Sequence, residues 1–179
     1  MIYGDRIRLR AAEHDDLPRF VAWLNDPEVR QFLLIQWPMS LAQEERWFES
    51  MQKEPVSEQV LVIEVDTGEG WMPLGNTSFH KIDWVSRSAE IGIFIGEKLY
   101  WNQGIGRESV RLMVHYGFNT LNLNRVYLRV FEHNVRGIRS YEHAGFQHEG
   151  RLRQAQFIDG QYRDVLLMSV LRSEWQNET

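Results

Sequence analysis

A chain of 179 residues that is 43% hydrophobic can bury one sizeable core, about 70% of the surface its unfolded form exposes, and its 25% charged residues sit within a composition unlike that of disordered chains. A net charge of −5 is ill suited to broad contact with nucleic-acid phosphates, and the absence of cysteine excludes disulfides, thiolate metal sites and a cysteine nucleophile. No apolar run approaches the roughly 18 residues of a membrane span, and the opening Met1-Ile2-Tyr3-Gly4-Asp5-Arg6 lacks the basic-then-apolar layout of a secretory signal, so no membrane, no nucleic acid and a cytoplasmic location are the expectations.

In chain order, residues 6–10 alternate polar and apolar and predict a first strand with one wet face. Asp15 and Asp16 precede Leu17, Phe20, Val21 and Leu24, a helical stripe with acids at its positive end. Ser40 and Gln43 form a capping box for a second helix, whose apolar side carries Trp47, Phe48 and Met51. Residues 59–65 read as a strand, 66–70 as a turn, 72–82 and 89–95 as further strands. The period then changes: Val110, Met113, Val114, Gly117, Phe118 and Leu121 recur at helical spacing after a glycine-containing turn at 104–106. Residues 125–131 alternate again. Asn134 caps a short helix through Ala144, with Gly145 as its stop. From Phe146 the chain is extended, and Asp159-Gly160 is a hairpin turn into 162–171. This order predicts one domain over residues 1–179, an α/β fold with a single mixed, mostly antiparallel sheet and helices on both faces, and not a doubly wound ladder.

Two stretches carry candidate chemistry. In Trp101-Asn102-Gln103-Gly104-Ile105-Gly106-Arg107 the glycines follow a strand and open a helix. The first-turn N–H groups of such a helix point outward, and its dipole adds positive charge, which suits a pyrophosphate; the same glycines also suit a plain tight turn. A dinucleotide fingerprint is incomplete, because Ser109 holds its third glycine position and Asn124, Arg125 and Val126 stand where its acid belongs. No P-loop pattern occurs. The second stretch runs from Asn134 to Phe146, with Tyr141 one turn beyond Ile138. Taken alone it reads equally well as a capped helix with a buried tyrosine. His143 and His148 lack the i, i+4 spacing of a zinc pair, so no metal is expected.

Taken in this order, the two stretches resemble the GCN5-related N-acetyltransferase superfamily, most sharply over residues 89–163. Its members carry Q/R-x-x-G-x-G/A, matched here at Gly104 and Gly106, with Trp101 in the Gln/Arg position. A later Asn, Tyr and Gly-Phe pattern is matched by Asn134, Tyr141, Gly145 and Phe146. Trp101, the Leu24-Asn25-Asp26-Pro27-Glu28-Val29 opening and the 158–164 stretch resemble the branch holding ribosomal-protein N-terminal and spermidine acetyltransferases.

The resemblance implies an acyl-CoA N-acyltransferase fold and direct transfer of acetyl from acetyl-CoA, a co-substrate, to a primary amine. It places the pantetheine arm along Ile93, Phe94 and Ile95, the pyrophosphate over Asn102, Gln103, Gly104, Ile105, Gly106 and Arg107, and further cofactor contacts at Asn134 and Arg139. Tyr141 becomes the general acid for the departing sulfur. Glu90, at the head of the same strand, is the candidate base, with His80 as a second; either also suits a satisfied sheet position. The amine is a polyamine such as spermidine, with a protein N-terminus or an amino sugar as alternatives, and a non-catalytic acyl-CoA binder as the reading from another class. Spermidine acetyltransferases carry an acidic pair where this chain has Leu34-Ile35-Gln36-Trp37; Glu44 and Glu45 come only later. Trp37 and Trp84 suit an interface as readily as a core, which leaves a homo-oligomer open.

Overall fold

The computed structural model describes residues 1–35 and 37–175; Gln36, within the stretch that replaces the acidic pair, lies outside them. Eight strands form one sheet in the order β1-β2-β3-β4-β5-β6-β8-β7. They are β1 (Ile2–Tyr3), β2 (Ile7–Ala11), β3 (Leu61–Asp66), β4 (Trp71–Asp83), β5 (Ser88–Ile95), β6 (Arg125–Phe131), β7 (Gln147–Ile158) and β8 (Gln161–Leu171). Five α-helices accompany them: α1 (Leu17–Asn25), α2 (Pro27–Arg30), α3 (Leu41–Met51), α4 (Ile105–Asn119) and α5 (Val135–His143). The expected strands and helices are present, and β1 and α2 are additions. α4 ends at Asn119, so Leu121, which continues its apolar spacing, falls beyond the helix.

The chain gathers into two compact units, Met1–Phe79 with Ile93–Ile105, and His80–Gly92 with Gly106 onward. In the first, β2 pairs antiparallel with β1 and with β3, and β3 with β4. α1 buries Leu17, Phe20, Trp23 and Leu24, the one-sided stripe that the spacing predicts. α3 starts on the expected capping box: Ser40 accepts from the Gln43 N–H, and the Gln43 side chain accepts from the Ser40 N–H, a cap worth about 0.5–2 kcal/mol. Its Met51 joins Phe20, Trp23 and Val62 in the core of this unit.

In the second unit β5 and β6 run parallel, paired from Ser88↔Arg125 to Glu90↔Tyr127. Parallel neighbours need a long crossover, and α4 lies within that connection. β6 then pairs antiparallel with β8 along its whole length. The hairpin β7–β8 turns at Asp159 (φ 48°) and Gly160 (φ 76°) with Ile158 opposite Gln161, a two-residue turn with positive φ at both positions. Trp37 and Trp84 are both exposed, so neither serves a core.

Candidate active site

β5 leads to the glycine turn through the 3₁₀ turn Lys98–Tyr100. Gly104 has φ +82°, a left-handed conformation that a side chain disfavours. Gly106 is different, since a Cβ there would meet nothing nearer than Ser140 Oγ at 3.6 Å. Ser140 precedes Tyr141 on α5, so the start of α4 and the catalytic-candidate helix are neighbours. Ile105 buries its side chain and offers only main chain, while Asn102, Gln103 and Arg107 are exposed. This glycine-flanked N-terminal helix turn fits a phosphate-bearing ligand such as coenzyme A.

α5 opens on Asn134, whose side chain accepts from the Gly137 N–H at 2.9 Å. That bond uses the amide oxygen, and Asn134 Nδ2 has no partner among the described residues. Tyr141 packs obliquely on Phe146 with ring centroids 6.1 Å apart. Its hydroxyl has no hydrogen-bond partner among the described residues, and burial pushes the phenol up to about 12, although part of the residue is exposed. Arg139 lies exposed on the same helix.

Ile93, Phe94 and Ile95 are half-buried at the end of β5. Phe94 stands edge-on to Trp23 at 6.1 Å. The Ile95 carbonyl already accepts from Trp101 Nε1 at 2.8 Å, so the indole in the family's Gln/Arg position ties the turn back to its strand. Glu90 is buried, and its carboxylate accepts from Arg129 Nε at 2.7 Å and Nη2 at 3.3 Å, with Lys81 Nζ 3.7 Å away. Both carboxylate oxygens are thus already engaged by cations of the chain, so the geometry at Glu90 does not offer the open base expected there. His80 lies over Gly92, where a Cβ would come within 2.7 Å of its Nε2.

One residue that the sequence did not single out braces this region. Arg6 Nη1 donates to the Gln103 carbonyl at 3.1 Å, and its guanidinium lies 3.3 Å from the position of a Gly104 Cβ. Only contact across 97 positions reveals it. Glu44, one turn before Trp47 and Phe48 on α3, is buried.

No helix among the described residues is long and apolar enough to cross a membrane, and no group of three or more His, Asp or Glu among them is placed to hold a metal. An acetyltransferase (GNAT) domain model matches residues 6–147. The chain is 30% identical over 176 residues to the spermidine N(1)-acetyltransferase of Vibrio cholerae, covering 98% of this chain and 99% of that protein. It is 29% identical over 174 residues to an uncharacterised N-acetyltransferase of Bacillus licheniformis called p20, covering 97% of each. The crystal structure of the Vibrio cholerae spermidine N-acetyltransferase in complex with CoA and spermine superposes with a TM-score of 0.86 at 27% identity, over 96% of this chain and 98% of that one. The chain belongs to the GNAT acetyltransferase family and is an N-acetyltransferase that draws its acetyl group from acetyl-CoA.

Proposed function

We propose that the acceptor is a polyamine of the spermidine type, and that Tyr141 serves as the acid of the transfer, in the cytoplasm. Full-length likeness to a spermidine acetyltransferase and the acidic balance of the chain support the polyamine; a polycation is drawn to a negative protein. The observation that carries the chemistry is the Tyr141 hydroxyl, which has no hydrogen-bond partner among the described residues and is held neutral by burial.

Acetyl-CoA, when bound, supplies the thioester whose C–S bond breaks as the amine nitrogen bonds to the carbonyl carbon. The residues of this chain do the rest. Gly104 and Gly106 let the main chain of the turn approach a pyrophosphate closely, where the α4 N-terminus adds favourable dipole. Asn134 offers Nδ2 from the first turn of α5, and Ile93 and Phe94 offer main chain along β5. Arg107 follows the turn and serves the pyrophosphate, and Arg139, also exposed, serves a peripheral phosphate. Tyr141 holds a proton at Oη for the sulfur that departs. Glu90, already held by Arg129, stabilises the β5–β6 junction and leaves proton removal to another group.

Release of CoA, followed with spermidine, spermine, N-terminal peptides, aminoglycosides and amino sugars, tests the acceptor. Spermidine and spermine are expected to give the highest kcat/KM. Turnover on peptides alone would move the function to protein N-termini, and no turnover with acetyl-CoA still bound would mark a binding protein.

A further inference from the structure

The glycine turn uses two left-handed residues, Asn102 (φ 62°) and Gly104 (φ 82°). Asparagine and glycine tolerate that conformation, but glycine is equally free to leave it, so contacts must hold the turn in shape. Two of them are local. Trp101 Nε1 donates to the Ile95 carbonyl at 2.8 Å, and Gln103 Nε2 donates to the Leu99 carbonyl at 2.6 Å. A third comes from far along the chain: Arg6 Nη1 donates to the Gln103 carbonyl at 3.1 Å, and its Nη2 lies 3.3 Å from where a Gly104 Cβ would stand. Glycine at 104 therefore serves twice, supplying the positive φ and leaving room for the guanidinium.

Arg6 reaches the turn from a fixed base. It directly precedes β2, its own carbonyl accepts from the Asp66 N–H at 3.1 Å, and β2 is paired on both sides, with β1 and β3. A guanidinium bonded to a carbonyl makes a charge-assisted hydrogen bond, stronger than a neutral one. Its effect on an anion site is double. A carbonyl oxygen turned toward a phosphate repels it, and Arg6 takes up the oxygen of Gln103. The guanidinium also brings positive charge against the turn, in a chain whose net charge of −5 works against phosphates in general.

We propose that Arg6 is a positioning residue of the coenzyme turn: it holds the Gln103 carbonyl away from the pyrophosphate and sets positive charge beside it, so that acetyl-CoA meets a turn already shaped by β2. This rests on the placement of the pyrophosphate over the turn proposed above. The contribution belongs to binding of the coenzyme's phosphates and not to the transfer step, because Arg6 bonds to main chain of the turn and to none of the groups assigned to the reacting atoms.

Calorimetric titration of CoA, paired with kcat/KM for acetyl-CoA and for S-acetylpantetheine at one fixed concentration of the accepted amine, tests this. S-acetylpantetheine carries the thioester without the pyrophosphate. Arg6→Met should bind CoA roughly tenfold more weakly. Its kcat at saturating acetyl-CoA should stay within about twofold of wild type, as expected for lost uniform binding, and its kcat/KM for S-acetylpantetheine should be unchanged. Arg6→Lys, which keeps the charge, should recover part of the affinity. Gly106→Val serves as the reference for the turn itself, since a Cβ there meets nothing nearer than 3.6 Å in the protein but crowds a pyrophosphate. CoA affinity lost in Gly106→Val and unchanged in Arg6→Met overturns the role of Arg6 and leaves the pyrophosphate on the turn. Equal loss of kcat/KM for the two thioesters in Arg6→Met also overturns it, as the mark of a merely structural contact. Unchanged CoA affinity in both variants removes the turn from the coenzyme site together with Arg6.

Discussion

The sheet and the two helices beside it treat their ionisable groups in opposite ways. Along β3 and β5, and at Asp16 just before α1, every buried carboxylate is matched by an arginine of β2 or β6: Arg10 spans Asp16 and Glu64, Arg8 adds a second bond to Glu64, and Arg129 holds Glu90. Burial works to raise the Asp16 carboxyl, but the Arg10 hydrogen bonds and the Glu13 N–H outweigh it and hold it below its ordinary value. On α3 and α5 the reverse holds. Glu44 and Tyr141 are pushed up by burial alone, to about 7 and about 12, and nothing in the described chain answers them. Groups satisfied internally stabilise the fold and are chemically spent. Groups left without a partner cost stability and remain available to a ligand, which is the pattern expected where stability is traded for function.

The largest effect should come from the unanswered phenol. Tyr141→Phe keeps the ring against Phe146 and deletes only the hydroxyl. Turnover should fall roughly 10²–10⁴-fold, with acetyl-CoA affinity little changed and melting temperature unaltered or higher, since no hydrogen bond among the described residues is lost. With the phenol near 12, its ionisation should leave no alkaline fall in kcat below pH 10. Steady-state kinetics from pH 6 to 10 check both points. Near-wild-type turnover in the phenylalanine variant would return Tyr141 to the class of packing residues and break the contrast on the α5 side.

Next in size is the answered side. Arg10→Met removes the one cation shared by two buried acids, whose side chains are only 9% and 5% exposed. Stranding a buried charge costs about 3–5 kcal/mol. The lower end, about 3 kcal/mol, is expected because Arg8 still holds Glu64. That amounts to a fall in melting temperature of about 6–12 °C, with kcat per folded molecule unchanged. Thermal unfolding followed by circular dichroism, with an activity assay below the transition, measures both. A large loss of kcat without a loss of stability would place Arg10 among the functional groups and blur the division.

The sequence showed one side of this division better than the other. Gly104, Gly106, Asn134 and Tyr141 belong to short contiguous patterns, and the turn and cap geometries they imply depend on near neighbours. The capping box at Ser40 and the hairpin at Asp159-Gly160 were legible for the same reason. β1 is only two residues long, too short for any period. The α2 turn had its signal, an Asp26 side chain accepting from the Glu28 N–H beside Pro27, in a stretch taken only as a likeness to relatives. The ion pairs were not legible, because Arg8 and Glu64 are 56 positions apart and Arg129 and Glu90 are 39 apart. Glu90 therefore looked like an open base until Arg129 was seen against it. Glu44 was seen in the sequence only as an acid that comes after the missing pair; that it is buried and that no cation among the described residues meets it are facts of tertiary structure.

The smallest predicted effect is the sharpest test of that last point, because it needs no ligand. If Glu44 is buried without a partner, its carboxyl titrates near 7 in the folded protein and near its ordinary 4.5 when unfolded. The folded state then holds the proton more tightly, so this group's contribution is fully present below pH 4.5 and is lost as pH rises through 7. Glu44→Gln abolishes that dependence, since an amide neither ionises nor carries charge into the aromatic face. At pH 8 the variant should melt above wild type, by about 2–4 °C for each kcal/mol of charge burial relieved. The gap should close as the pH falls toward 4.5, where wild type is also neutral. An ion pair hidden at Glu44 would reverse the sign: the glutamine variant would then melt below wild type at pH 8, and the two curves would approach each other only in acid. Melting curves of both proteins at half-unit steps from pH 4.5 to 8.5 therefore separate a carboxylate waiting for a cation from one that already has it.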